Sequence, residues 1–199
     1  QTLKLPIVED DPFGITDAVS DNQSEPPLKA LDPENVLYIG SLSSLVGNQA
    51  RIGWLLAPSF IVNQLADIRQ QMESGMSIFP QIIASQFLAQ PDLQQQIQQQ
   101  ATQLREKRQL LQQALKPFAD QNQLSYRLPA NGNSFWVHLN TTHPLSITDY
   151  NQFLKQRVLV RPDFLFGSHQ NNLRVGFANL SAEQVPQLQV RLRSILERL

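Results

Sequence analysis

The sequence predicts a mixed α/β protein with a carboxyl-terminal region of α+β character. Apolar runs of strand length interleave with stretches whose apolar residues recur every three or four positions. Near residue 90 the chain changes from apolar and strand-rich to polar and amphipathic. Its 199 residues, 41% hydrophobic and 17% charged, suffice for a real core and exclude a disordered or collagen-like chain. No apolar run approaches the roughly 20 residues of a membrane span, and no charged start followed by an apolar stretch marks a signal peptide. A cytoplasmic protein without membrane contact is therefore expected. Sixteen Lys and Arg against 17 Asp and Glu leave a net charge of −1, so this chain has no long-range attraction for nucleic acid. The absence of cysteine removes disulfides, thiolate nucleophiles and cysteine zinc sites.

Leu5-Pro-Ile-Val8, within the apolar run Leu3 to Val8, reads as a buried strand that ends in the acidic turn Glu9-Asp10-Asp11-Pro12, because Pro12 cannot donate to a ladder. An apolar run so close to Gln1, where no Met stands, suggests a piece of a longer polypeptide. Residues 15–34 are polar and proline-containing, a surface loop. Val36–Gly40 and Ile52–Ala57 are strand-length apolar runs flanking the small, polar stretch Ser41–Arg51. Ser59 is placed to cap a helix carrying Ile61, Leu65, Ile68 and Met72, closed by Gly75. A second helix follows over Pro80–Leu88. From Asp92 a long helix shows Leu93, Ile97, Ala101, Leu104, Leu111, Leu115 and Phe118, a stripe broken at Arg108. Its glutamine tracts read as a solvated or subunit-facing surface. Leu124–Arg127 and Ser134–Leu139 are expected strands, Ile147–Arg157 a helix, and Val158–Val160 and Leu173–Phe177 strands. A last helix begins with the capping box Ser181-Ala-Glu-Gln184 and carries Val185, Leu188, Leu192, Ile195 and Leu199 on one face. Two regions are expected, residues 1–90 and 91–199. The first is too small to stand alone, so its near-continuous apolar strands need neighbours from upstream sequence or a partner subunit.

Three segments together resemble the fold-type I aminotransferases that use pyridoxal 5'-phosphate (PLP), and specifically the aminotransferase-like domain of GntR/MocR-type transcriptional regulators. They are Ile7-Val-Glu-Asp-Asp-Pro-Phe-Gly14; Leu37-Tyr-Ile-Gly-Ser-Leu-Ser-Ser44 with Ala50-Arg-Ile-Gly-Trp-Leu-Leu-Ala-Pro58; and Val158-Leu-Val-Arg-Pro162 with Leu173-Arg-Val-Gly-Phe-Ala-Asn-Leu-Ser181. The match is colinear, covers nearly the whole chain, and corresponds only to the carboxyl half of that domain. On this resemblance residues 1–90 are part of the large, cofactor-binding domain and 91–199 are the small domain.

The resemblance implies roles. Asp10 matches the acid that keeps the cofactor's pyridine nitrogen protonated, without which PLP is no electron sink. Ser41, Ser43 and Arg51 match the phosphate-binding hydroxyls and guanidinium. Phe13 stands where the family commonly has a tyrosine touching the ring oxygen. Arg174 matches the arginine that grips the substrate carboxylate. The decisive departure is Ser44, where the family has its Schiff-base lysine: a hydroxyl can neither form the imine nor serve as the amine base. Lys4, Lys29, Lys107, Lys116 and Lys155 offer no obvious replacement. Covalent PLP binding is therefore not expected.

Each assignment has a plainer competitor. Asp10 can be a turn acid, and Arg51 can pair structurally with Asp10 or Asp11. Trp54 and Trp136 are expected in the core. His138 has no second ligand at metal spacing. The leading expectation is the effector-binding and dimerisation domain of a GntR/MocR-type regulator, catalytically degenerate, binding an amino-acid-like small molecule. Such a protein would be a homodimer that meets DNA only through an amino-terminal winged-helix domain outside this chain. The alternatives are a PLP-dependent aminotransferase whose lysine was lost or replaced, and a structural dimerisation module without a ligand.

Overall fold

A computed structural model describes residues 5–17, 26–47, 51–72, 77–129 and 132–199. It divides into two compact units, residues 1–102 and 103–199.

In the first unit, β1 (Ile7–Asp11), β2 (Val36–Ser41) and β3 (Gly53–Leu56) form a sheet in the order β1-β2-β3. The β1/β2 pair is parallel and the β2/β3 pair antiparallel. Between β1 and β2 lie the short helices α1 (Gly14–Asp17) and α2 (Leu28–Leu31), and α3 (Ser43–Val46) follows β2 directly. Helices α4 (Ser59–Met72) and α5 (Ile78–Leu88) come next, and α6 (Leu93–Asp120) begins in this unit.

The first strand differs from expectation. It starts at Ile7 and carries Glu9, Asp10 and Asp11 inside the ladder, up to Asp11 opposite Gly40. The acidic residues stay in strand because two of them find partners. The Glu9 carboxylate accepts from the Leu28 and Lys29 amides at the start of α2 (2.8 and 3.0 Å), and Asp11 accepts from the Tyr38 hydroxyl (3.0 Å). Nor is the strand buried: Ile7 and Val8, on opposite faces of the sheet, are both exposed, as is Leu5 ahead of them. Ser59 is the first helical residue of α4, and the Pro58 carbonyl receives the bonds from Ile61 and Val62. Leu3, Lys4 and Gly75 lie outside the described residues.

The second unit holds an antiparallel sheet of β4 (Leu124–Arg127), β5 (Ser134–Leu139), β6 (Arg161–Pro162) and β7 (Asn172–Gly176) in the order β4-β5-β7-β6. Its buried face carries Leu124, Phe135, Val137, Leu139 and Leu173. They pack with Leu111, Leu115 and Phe118 of α6, Phe153 of α7 (Ile147–Lys155), and Leu192 and Ile195 of α8 (Gln184–Leu196). The break in the α6 stripe has a cause, for Arg108 donates to the Pro129 carbonyl (2.9 Å).

Boundaries shift where capping chemistry takes over. Val158–Val160 is not a strand: Arg157 adopts φ 56°, and the Val158 amide returns to Phe153 (2.8 Å) while that of Arg157 returns to Leu154 (2.9 Å), a Schellman closure of α7. Pairing starts only at Arg161. The complete capping box belongs to α7, where Ser146 and Asp149 bond reciprocally. Ahead of α8 only half of the expected box forms, with Gln184 accepting from the Ser181 amide (3.0 Å), and the helix starts at Gln184. Trp136 is not a core residue. It alternates with buried Phe135 and Val137, so it lies on the opposite face, 42% exposed.

Candidate functional site

The candidate residues of the first unit collect at one end of its sheet. The parallel register pairs Asp10 with Ile39, so Asp10 shares a sheet face with Leu37, Ile39 and Ser41, while Glu9, Asp11, Tyr38 and Gly40 occupy the other. Ser41 lies opposite Gly53, the first residue of β3, which brings Arg51, two residues earlier, to the same end. The Leu42 amide bonds to the Ile52 carbonyl (3.0 Å) and fixes that approach. Asp10 and Arg51 are exposed, and Phe13 is half-buried. Among the described residues Arg51 forms no ion pair with Asp10 or Asp11, so its structural pairing is not observed; its φ of 50° lies in the left-handed region.

Sequence reasoning missed the side chains that hold this edge. On the opposite face a Cβ at Gly14 would fall 2.1 Å from the Asp11 carboxylate and 2.6 Å from the Tyr38 hydroxyl. Only a glycine lets that hydrogen bond form beneath α1. Burial, and then the Asp11 bond, push the Tyr38 hydroxyl up to about 12. Gly40 serves Trp54 in the same way, since its Cβ would sit 2.2 Å from the indole ring. The Gly14 and Gly40 positions were visible in the sequence; which rings they admit depends on strand register.

Beyond β2 the chain turns into α3. The Ser43 amide donates to Ser41 Oγ (3.1 Å), which leaves that hydroxyl free to donate elsewhere. Ser44 Oγ is enclosed and finds no hydrogen-bond partner among the described residues. An enclosed, unsatisfied hydroxyl costs about 1–3 kcal/mol. Lys29 Nζ is tied to the Pro33 and Val36 carbonyls (2.6 and 2.7 Å), Lys107 to the Ala178 carbonyl, and Lys116 to Asp120 (3.0 Å).

Arg174 belongs to the second unit, at the centre of β7. Its Nε donates to Ser134 Oγ (2.9 Å), and its guanidinium lies over the Phe166 ring, 6.0 Å from the centroid. Phe166 in turn meets Trp136 edge-on at 5.6 Å. The guanidinium is thus oriented by a hydroxyl and an aromatic face instead of a carboxylate, which leaves its charge available for an anion. His138 Nδ1 contacts Asn172 Oδ1 (3.2 Å). Among the described residues no group of three or more His, Asp or Glu could hold a metal.

The sequence matches a known family profile, aminotransferase class I and II, over residues 13–192. The chain belongs to this family. Its fold is that of about half of a fold-type I aminotransferase. It superposes on a kynurenine aminotransferase of Pyrococcus horikoshii with a TM-score of 0.85 at 22% identity, covering 97% of this chain and 48% of that one. LysN, the α-aminoadipate aminotransferase of Thermus thermophilus, gives 0.84 at 23% identity, covering 98% and 52%. Curated relatives carry a different kind of name. The HTH-type transcriptional regulator YisV of Bacillus subtilis is 33% identical over 180 residues, 89% of this chain and 36% of that protein. The HTH-type transcriptional regulator NorG of Staphylococcus aureus is 26% identical over 182 residues, 91% and 40%. The chain thus spans well under half the length of the curated relatives it matches.

Proposed function

We propose that this chain is the effector-binding and dimerisation part of a GntR/MocR-type transcriptional regulator, a domain of aminotransferase fold that has lost transamination. One observation carries the reading: Ser44, in α3 just after β2 and at the position that the resemblance gives to the lysine, has an enclosed hydroxyl that bonds to nothing among the described residues. The names of the curated relatives support it.

The remaining donors suit a cofactor held without a covalent link. Asp10 would face the pyridine nitrogen, Ser41, Ser43 and Arg51 the phosphate, and Phe13 the ring. When bound, PLP would supply an electron sink, but Ser44 offers no amine to attach it. Arg174 would hold the carboxylate of an amino-acid-like effector. Such an effector acts by binding one arrangement of the homodimer better than another, and DNA is reached through a winged-helix domain elsewhere in the polypeptide.

The test is a PLP titration of the full-length protein and of its Ser44→Lys variant, followed by absorbance and by borohydride fixation. The wild type should give no fixed cofactor, and Ser44→Lys should be fixed. Covalent fixation in the wild type, together with amino-group transfer, would overturn the reading in favour of an aminotransferase that uses another amine.

A further inference from the structure

The register of the second sheet aligns four side chains in one cross-strand row. Arg127 on β4 lies opposite Trp136 on β5, Trp136 opposite Arg174 on β7, and Arg174 opposite Arg161 on β6. Directly paired residues point to the same face, so three guanidiniums and an indole share the face opposite the core. Arg127, Trp136 and Arg161 are exposed and Arg174 is half-buried.

Arg161 and Arg174 are immediate neighbours, and like charges directly opposite one another destabilise a sheet. Among the described residues no carboxylate pairs with either; the ion pairs of this unit include Lys116 with Asp120 and His143 with Asp149. Asp163, two residues from Arg161, is buried and already engaged by Tyr150, Gln170 and Asn172. Two adjacent, uncompensated guanidiniums, one of them held by Ser134 and Phe166, are suited to grip two acid groups a few carbons apart, each bidentately.

We infer that the effector is a dicarboxylate of the acidic amino acid class, with one carboxylate on Arg174 and the second on Arg161. This rests on the reading above that Arg174 holds an effector carboxylate. Trp136 and Phe166, which border the pair, give the carbon chain an apolar surface. Arg127 lies beyond Trp136 in the row and is left to solvent.

L-glutamate and L-glutamine differ in that one charge at nearly constant shape. Calorimetric titration of each into the full-length protein should show glutamate binding at least tenfold tighter. Arg161→Gln should abolish that preference while leaving glutamine affinity within about twofold, and Arg174→Gln should abolish binding of both. Arg127→Gln should leave the preference intact. A wild type that binds both amino acids equally overturns this inference and leaves the effector reading standing. A wild type that binds neither overturns both. Equal loss of the preference in Arg127→Gln and Arg161→Gln would reduce the effect to net charge and overturn the assignment to Arg161. Arg161 is an exposed edge residue, and a thermal melt of each variant separates altered binding from altered folding.

Discussion

At the scale of a single residue, Asp163 shows how one carboxylate can organise a corner of the fold. It is 1% exposed and accepts from the Gln170 amide (2.7 Å), the Asn172 amide (3.0 Å), the Tyr150 hydroxyl (3.2 Å) and the Asn172 side chain (3.4 Å). Burial pushes its carboxyl up, but the two amide bonds, with help from Tyr150 and the Asn172 side chain, outweigh that and hold it below the usual carboxylate range. A native value below the unfolded one means that Asp163 contributes stability in full above the unfolded value of about 4. That contribution is lost as pH falls through the native value. Urea unfolding of the chain, followed by tryptophan fluorescence from pH 7 to pH 2, should therefore show a flatter acid limb in Asp163→Asn. At pH 7 that variant should be about 2 kcal/mol less stable, because an amide cannot accept all four bonds. Asp163 was not legible in the sequence. An aspartate ahead of an aromatic run looks like a turn residue, and its donors converge only once β7 has paired. Asp10, Ser41, Arg51 and Arg174 were singled out because they lie in contiguous motifs that carry the family resemblance; which of them share a sheet end depends on strand register.

Among the elements, α6 is the one whose existence the residue spacing specified best, yet it contains Pro117. A proline inside a helix leaves the carbonyl four residues earlier without its donor. Here that carbonyl, of Gln113, accepts instead from Gln189 Nε2 on α8 (3.1 Å). Pro117→Ala should raise stability by about 1 kcal/mol, less than the roughly 3 kcal/mol a mid-helix proline can cost, because Gln189 already meets part of the loss. In a Gln189→Ala background the gain should be larger, and thermal melts of the four proteins give the coupling. Periodicity also foretold β2, β3, β4, β5 and α5 closely. It failed at β6 and at the start of α8, where left-handed Arg157 and the half-formed Ser181–Gln184 box decide the ends. Those are backbone conformations, to which the spacing of apolar residues is blind.

Over the whole molecule, the first unit exposes much apolar surface. Besides the β1 edge, Phe60, Leu65, Ile68 and Met72 of α4 and Phe79, Ile82 and Ile83 of α5 are exposed, more than an isolated soluble surface usually shows. The expectation that this region needs further neighbours came from its strands; the two helices add a larger exposed face. Produced as these 199 residues alone, the protein should bind a hydrophobic dye strongly and elute above its 22.6 kDa mass, and the full-length protein should bind far less dye per chain. Gel filtration with dye fluorescence reads both. The second unit carries its own core, and Asp163 bears on the order in which that core assembles. Its donors lie 7, 9 and 13 residues away, loops whose closure costs little entropy. The bond between α6 and α8 spans 76 residues. As the chain emerges during synthesis, the Asp163 corner can therefore close as soon as β7 is available to pair. The long helix must wait for residue 189 before its proline defect is covered.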